Sequence, residues 1–234
     1  MSTNAHGQPV GADVAGWSVR AQPSRNSMVG HYCRVEPVHV ERHADDLFAA
    51  WSDARDDRDW TYLVAERPHT AAECRAYVEK LSSTSDPLHY AIIDANGTAV
   101  GTAALMRIDP AHGVIEVGSI TYSPRLQRTR AGTEAMYLLM RHAFDDLGYR
   151  RYEWKCDTLN APSQAAARRY GFVFEGIFRQ ALVYKGRNRD TAWFSIIDRE
   201  WPAVRAALQA WLNPTNFESN GLQKTSLGEV RSAQ

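Results

Sequence analysis

The chain has 234 residues, and 27 basic side chains balance 27 acidic ones. That length fits one domain with a full core, or a domain with extensions. Zero net charge leaves no broad electrostatic footprint for nucleic acid or a membrane surface, and three widely spaced cysteines, Cys33, Cys74 and Cys156, form neither a disulfide framework nor a zinc spacing.

Residues 1–28 are polar and mixed, and they read as a loose N-terminal arm without the apolar core of a signal peptide. Residues 31–38 have strand character, with Pro37 marking an end or an edge. Ala44, Leu47, Phe48 and Trp51 then repeat at helical spacing. Thr70, with Glu73 three residues later, forms a capping box for a second helix bearing Tyr77, Val78 and Leu81. Residues 89–94, the turn signal Asn96-Gly97 and residues 98–108 predict a hairpin, and residues 114–122 add a third strand. A long helix is predicted over residues 129–147, closed by Gly148, with Glu134, Arg141 and Asp145 on its polar side. On the strand at 149–157, Tyr152, Trp154 and Cys156 share one face, and Arg151, Glu153, Lys155 and Asp157 share the other. Strand, helix and strand in this order imply a parallel crossover. Asn160 caps a short helix with Pro162 in its first turn. Two strands, 172–184 and 191–198, and a helix over 200–212 complete a domain of residues 29–212, followed by a polar tail over 213–234. The longest apolar run, residues 136–140, is too short to span a bilayer, so the expected location is the cytoplasm. The order is mixed α/β (α+β), neither a βα barrel nor a doubly wound fold.

The chemistry concentrates where the strand at 114–122 runs through Arg125, Gln127, Arg128 and Arg130 into the long helix. Unpaired N–H groups in a helix's first turn, with the positive end of its dipole, make a phosphate site. Gly132 allows close approach of a pyrophosphate.

Four features together resemble the GNAT superfamily of N-acetyltransferases, and most closely the ribosomal-protein alanine N-acetyltransferase-like branch. They are Glu116-Val117-Gly118, the run from Gln127 to Gly132-Thr133-Glu134-Ala135, Asn160-x-x-Ser163 and Gly171-Phe172. The resemblance implies a mostly antiparallel sheet with one splayed parallel pair and helices on both faces. It also implies acetyl-CoA as co-substrate, with no metal. The backbone of Ile120, Thr121 and Tyr122 would hold the pantetheine arm, and an N–H near Ile120 would polarise the thioester carbonyl. Gln127, Arg128, Thr129, Arg130, Ala131, Gly132 and Thr133 would hold the pyrophosphate, and Asn160 the far side of the arm. Ser163 matches a serine proposed as the acid, and Glu116 is the candidate base. Trp60, Tyr62 and Asp190 fall where the acceptor, a primary amine on a protein N-terminus or a small molecule, would bind. Arg130 stands where the family has a glycine, and Ala167 where many members have a tyrosine acid. Those departures keep a second reading open, a catalytically weak acyl-CoA-binding sensor or interaction module. The resemblance also leaves room for a homodimer.

Overall fold

The computed structural model describes residues 2–233. Two short strands, β1 (Ser2–Thr3) and β2 (Pro9–Val10), pair with each other alone. The body follows as β3 (Met28–Val29), β4 (Arg34–Pro37), α1 (Val40–Ser52), α2 (Ala71–Ser83), β5 (Leu88–Ile93), β6 (Ala99–Asp109) and β7 (Val114–Tyr122). It continues through α3 (Arg130–Arg141), β8 (Arg151–Asp157), α4 (Ala161–Tyr170), β9 (Val173–Tyr184), β10 (Arg187–Ile197), α5 (Trp201–Leu212) and α6 (Leu227–Ser232). Eight strands form one sheet in the order β3-β4-β5-β6-β7-β8-β10-β9. Every pairing is antiparallel except β7 with β8, the crossover expected around α3.

The local signals act as their chemistry predicts. Thr70 and Glu73 close a complete capping box on α2. Asn160 accepts the Ser163 N–H at the start of α4. Gly97, at φ 83°, supplies the left-handed position of the β5–β6 hairpin.

Helices cover both sheet faces. One apolar cluster joins α3, α4 and α5 to Tyr152, Trp154, Phe194 and Ile196. The other joins α1 and α2 to Ala91, Ile93 and Ala99. On that second face, β8 presents Arg151, Glu153, Lys155 and Asp157 instead of apolar residues, because α1 and α2 pack over the β5–β6 end of the sheet.

Four expectations change. The long helix ends at Arg141, and residues 142–146 form a π turn before Gly148. Glu134 is buried, not on a solvated side: its carboxylate accepts the N–H groups of His31, Tyr32 and Cys33 and pins the turn before β4 to α3. The later part of the N-terminal arm lies on the body. The Trp17 indole donates to the Ala111 carbonyl and packs over Gly113, and Arg20 N–H donates to the Pro110 carbonyl. One aromatic ring and backbone pairing do this without the apolar periodicity a sequence scan reads. The polar tail folds back too: Phe217 and Leu227 are buried, and a Ser226–Glu229 box caps α6.

Candidate active-site cleft

The parallel ladder between β7 and β8 is short. It runs from Val114↔Arg151 to Val117↔Trp154 and stops. Beyond that point β7 stays with β6, as far as Tyr122↔Gly101, while β8 stays with β10, as far as Asp157↔Thr191. The two strands therefore part, and the wedge between them opens into a cleft of about 2060 Å³. At the parting point β7 carries a bulge: Gly118 faces Ala104 and Thr121 faces Thr102, so Ser119 and Ile120 share one position opposite Ala103. Ser119 sits at φ 48°. A bulge leaves residues out of the ladder and turns their backbone groups. Here it falls on the segment expected to hold an extended ligand.

The structure narrows that segment. The Thr121 carbonyl already accepts the Trp51 indole N–H, at 3.1 Å, and the Tyr122 carbonyl accepts Gln127 Nε2, at 2.9 Å. Ser119 and Ile120 keep their backbone without a strand partner on either side.

At the anion end, Thr129 caps α3 through the Gly132 N–H, at 3.0 Å, and donates to the Leu126 carbonyl, at 2.7 Å. The loop lies so close to the helix that a Cβ on residue 132 would stand 2.6 Å from the Leu126 oxygen. Arg128 and Thr133 line the cleft, and Arg169 of α4 donates to the Thr133 hydroxyl. Of the other residues expected at the phosphate end, Gln127 and Arg130 line the cleft and Ala131 does not. Gln127 spends its amide on Asp59 and Tyr122, because it ties the loop to the opposite wall. The Arg130 guanidinium lies over the rings of Tyr32 and Phe217, at 4.9 and 4.8 Å. Ala131 packs on the core, outside the cleft lining.

The floor at the parting point is charged. Glu116 is 5 % exposed, and its carboxylate pairs with Lys155 at 2.8 Å and Arg107 at 3.2 Å. Burial raises the Glu116 pKa above the usual carboxylate value, and the two cations pull against it. Lys155 also pairs with Glu153, at 2.7 Å, and its ammonium lies 3.7 Å from the centre of the Trp193 ring. The chain of ion pairs continues through Arg151 to Glu175. Residue alternation on β8 shows this charged face in the sequence, but the cross-strand partner Glu116 is what gives it a role.

Asn160 lines the cleft with its carboxamide oxygen committed to the Ser163 N–H. The Ser163 hydroxyl accepts the Trp154 indole N–H at 3.0 Å and lies within hydrogen-bond reach of the Cys156 sulfur. Tyr170, three residues after Ala167, also lines the cleft, with its phenol pKa raised by burial. The Cys156 thiol is buried and likewise raised by burial, so it is a poor nucleophile.

Trp60 and Tyr62, expected on the acceptor side, line the cleft. Trp60 is at once core and wall, its ring meeting those of Trp51 and Tyr77 edge-on. Lys185, in the β9–β10 turn, donates to the Trp60 carbonyl and to Glu66, both at 2.9 Å. Asp190 is not in the cleft. Its carboxylate accepts the Gln180 N–H and the Asn188 amide, because the irregular β9–β10 pairing there leaves that backbone donor to be satisfied. Among the described residues, no group of three or more His, Cys, Asp or Glu side chains is placed to hold a metal, and no helix is long and apolar enough to cross a membrane.

Residues 34–173 match a family model described as an acetyltransferase (GNAT) domain. The chain is similar to a solved GCN5-related N-acetyltransferase from Brucella melitensis, at 52% identity, with 94% of this chain and 100% of that one covered and a TM-score of 0.92. A probable acetyltransferase of the GNAT family from Chromobacterium violaceum is 38% identical, with 83% and 98% covered and a TM-score of 0.76. YdaF of Bacillus subtilis, named as a candidate ribosomal N-acetyltransferase, is 27% identical over 106 residues, 45% of this chain; the chain spans 57% of that relative's length.

Proposed function

We propose that this chain, which belongs to the GNAT family of acetyltransferases, transfers the acetyl group of acetyl-CoA directly to a primary amine held in the same cleft. The observation that carries the reading is the coincidence at one point of the strand parting, the β7 bulge and the buried Glu116.

The parted backbone at Ser119 and Ile120 offers unpaired groups to an extended pantetheine arm. An N–H near Ile120 then faces the developing oxyanion. Arg128, the Thr129-capped start of α3 and Thr133 supply the phosphate end. Glu116 takes the proton of the incoming ammonium. The freed lone pair attacks the thioester carbon; as the tetrahedral intermediate collapses the C–S bond breaks, the departing sulfur takes the Ser163 hydroxyl proton, and Ser163 regains a proton from the attacking nitrogen, which leaves a neutral amide and a free thiol. Direct transfer fits the inert, buried Cys156. The acceptor is a protein N-terminus or a small amine, and the action is cytoplasmic.

Thiol release from acetyl-CoA, followed across a panel of amines and short peptides, tests this. Release that is lost in Glu116→Gln supports it. Tight CoA binding without release across the panel points instead to the sensor module, which the departures at Arg130 and Ala167 favour. Absence of CoA binding by calorimetry overturns both.

A further inference from the structure

The cleft-facing row of β10 is regular. Arg189, Thr191 and Trp193 alternate along one face, and Thr191 and Trp193 pair across with Asp157 and Lys155 of β8. All three line the cleft. Trp193 lies under the Lys155 ammonium, beside the Glu116 pair. With about 3.3 Å per residue, Thr191 stands about 7 Å and Arg189 about 13 Å along the strand from it.

Two polar atoms in this row have no partner. Thr191 is 4 % exposed, and its hydroxyl oxygen is buried without a hydrogen bond. Arg189 Nε is buried and likewise unpartnered. Among the described residues no carboxylate pairs with Arg189; its guanidinium lies 5.9 Å from the Tyr184 ring. The nearby Asp157 is already committed, accepting the Tyr184 hydroxyl and the Leu159 N–H. Lys155, the neighbouring cation, is saturated by Glu116 and Glu153. Unsatisfied buried donors cost stability, and a partly buried cation without a counter-charge costs more. Such groups are retained where a ligand completes them.

We propose that Arg189 and Thr191 recognise an anionic oxygen of the acceptor, a carboxylate that reaches about 7–13 Å along β10 from the Trp193 end of the cleft. This rests on the acetyl-transfer reading for which end of the substrate is the amine. It selects acceptors with an acidic group beyond a spacer, such as ω-amino acids and short peptide acids, over simple alkylamines and polyamines. A CoA phosphate has the same chemistry, but the α3 start and Arg128 offer that group a separate place.

The test is a tryptophan-fluorescence titration of the CoA-saturated protein with matched pairs: 6-aminohexanoate against pentylamine, and a dipeptide acid against its amide. The carboxylate member binds about tenfold or more tighter, the effect of one charged hydrogen bond. Arg189→Met abolishes the preference, Arg189→Lys restores part of it, and CoA affinity stays unchanged in both. Equal binding within each pair overturns the proposal. So does an Arg189→Met variant that loses CoA affinity and keeps the preference, which assigns the residue to a phosphate. Thiol release measured alongside separates the two readings. Release without discrimination keeps acetyl transfer and sinks this inference; discrimination without release does the reverse.

Discussion

Lys155 Nζ stands 2.8 Å from the Glu116 carboxylate, one residue beyond the last parallel pair of β7 and β8. The fold therefore opens its wedge where a buried carboxylate meets its counter-charge. Burial alone would push Glu116 further toward its neutral form, and Lys155 opposes that shift. A base works deprotonated, so kcat/KM rises with pH through the Glu116 pKa. Glu116→Gln lowers kcat by about 10²–10⁴-fold with CoA affinity unchanged. Lys155→Met removes the opposing cation, raises the Glu116 pKa and moves the rising limb of the pH–rate profile to higher pH. A profile that stays in place shows that Glu116 is not the titrating base.

Ser163 is held between the Trp154 indole and the Cys156 thiol. In Ser163→Ala the departing thiolate loses its donor, so kcat falls by about 10²-fold or more while the acceptor KM holds. The α4 cap survives, because it uses the Ser163 backbone N–H. Equal loss in KM and kcat would point to a packing role.

Gly132→Ala puts a methyl group 2.6 Å from the Leu126 oxygen, which is backbone and cannot step aside cheaply. We expect about 1–3 kcal/mol of lost stability by denaturant titration. A CoA affinity that falls by about tenfold as the loop lifts from α3 would be read by calorimetry, and an unchanged affinity would take this loop out of the cofactor site.

His89, on the cleft side of β5, is buried, with Nδ1 unpartnered and a pKa lowered to about 4, chiefly by burial. The folded form resists protonation, whereas the unfolded chain titrates near 6.5. Stability is therefore full above pH 6.5 and falls as the pH drops toward 4, by about 3 kcal/mol at the limit. His89→Gln flattens that acid limb in urea unfolding measured between pH 7 and 4; an unchanged limb excludes His89 as its source.

Elements with local signals were legible in the sequence: the α2 capping box, the Asn96-Gly97 turn, the Asn160 cap and the crossover around α3. Burial and pairing were not. Glu134 looked solvated because nothing local shows that three backbone donors from residues 31–33 reach it. The role of Lys155 depends on Glu116 across the sheet and of Arg189 on what fails to pair with it, and neither relation has a sequence spacing. The stacking of Arg130 on Tyr32 and Phe217 has no sequence spacing either, because those rings come from distant ends of the chain.

Lys185 in the β9–β10 turn ties that hairpin to the main-chain oxygen of Trp60 and to an exposed Glu66. Such a latch is strong enough to hold the hairpin and weak enough to be undone by counter-ions. If its release gates product departure, turnover quickens as ionic strength rises, and Lys185→Met runs at the high-salt rate in any buffer.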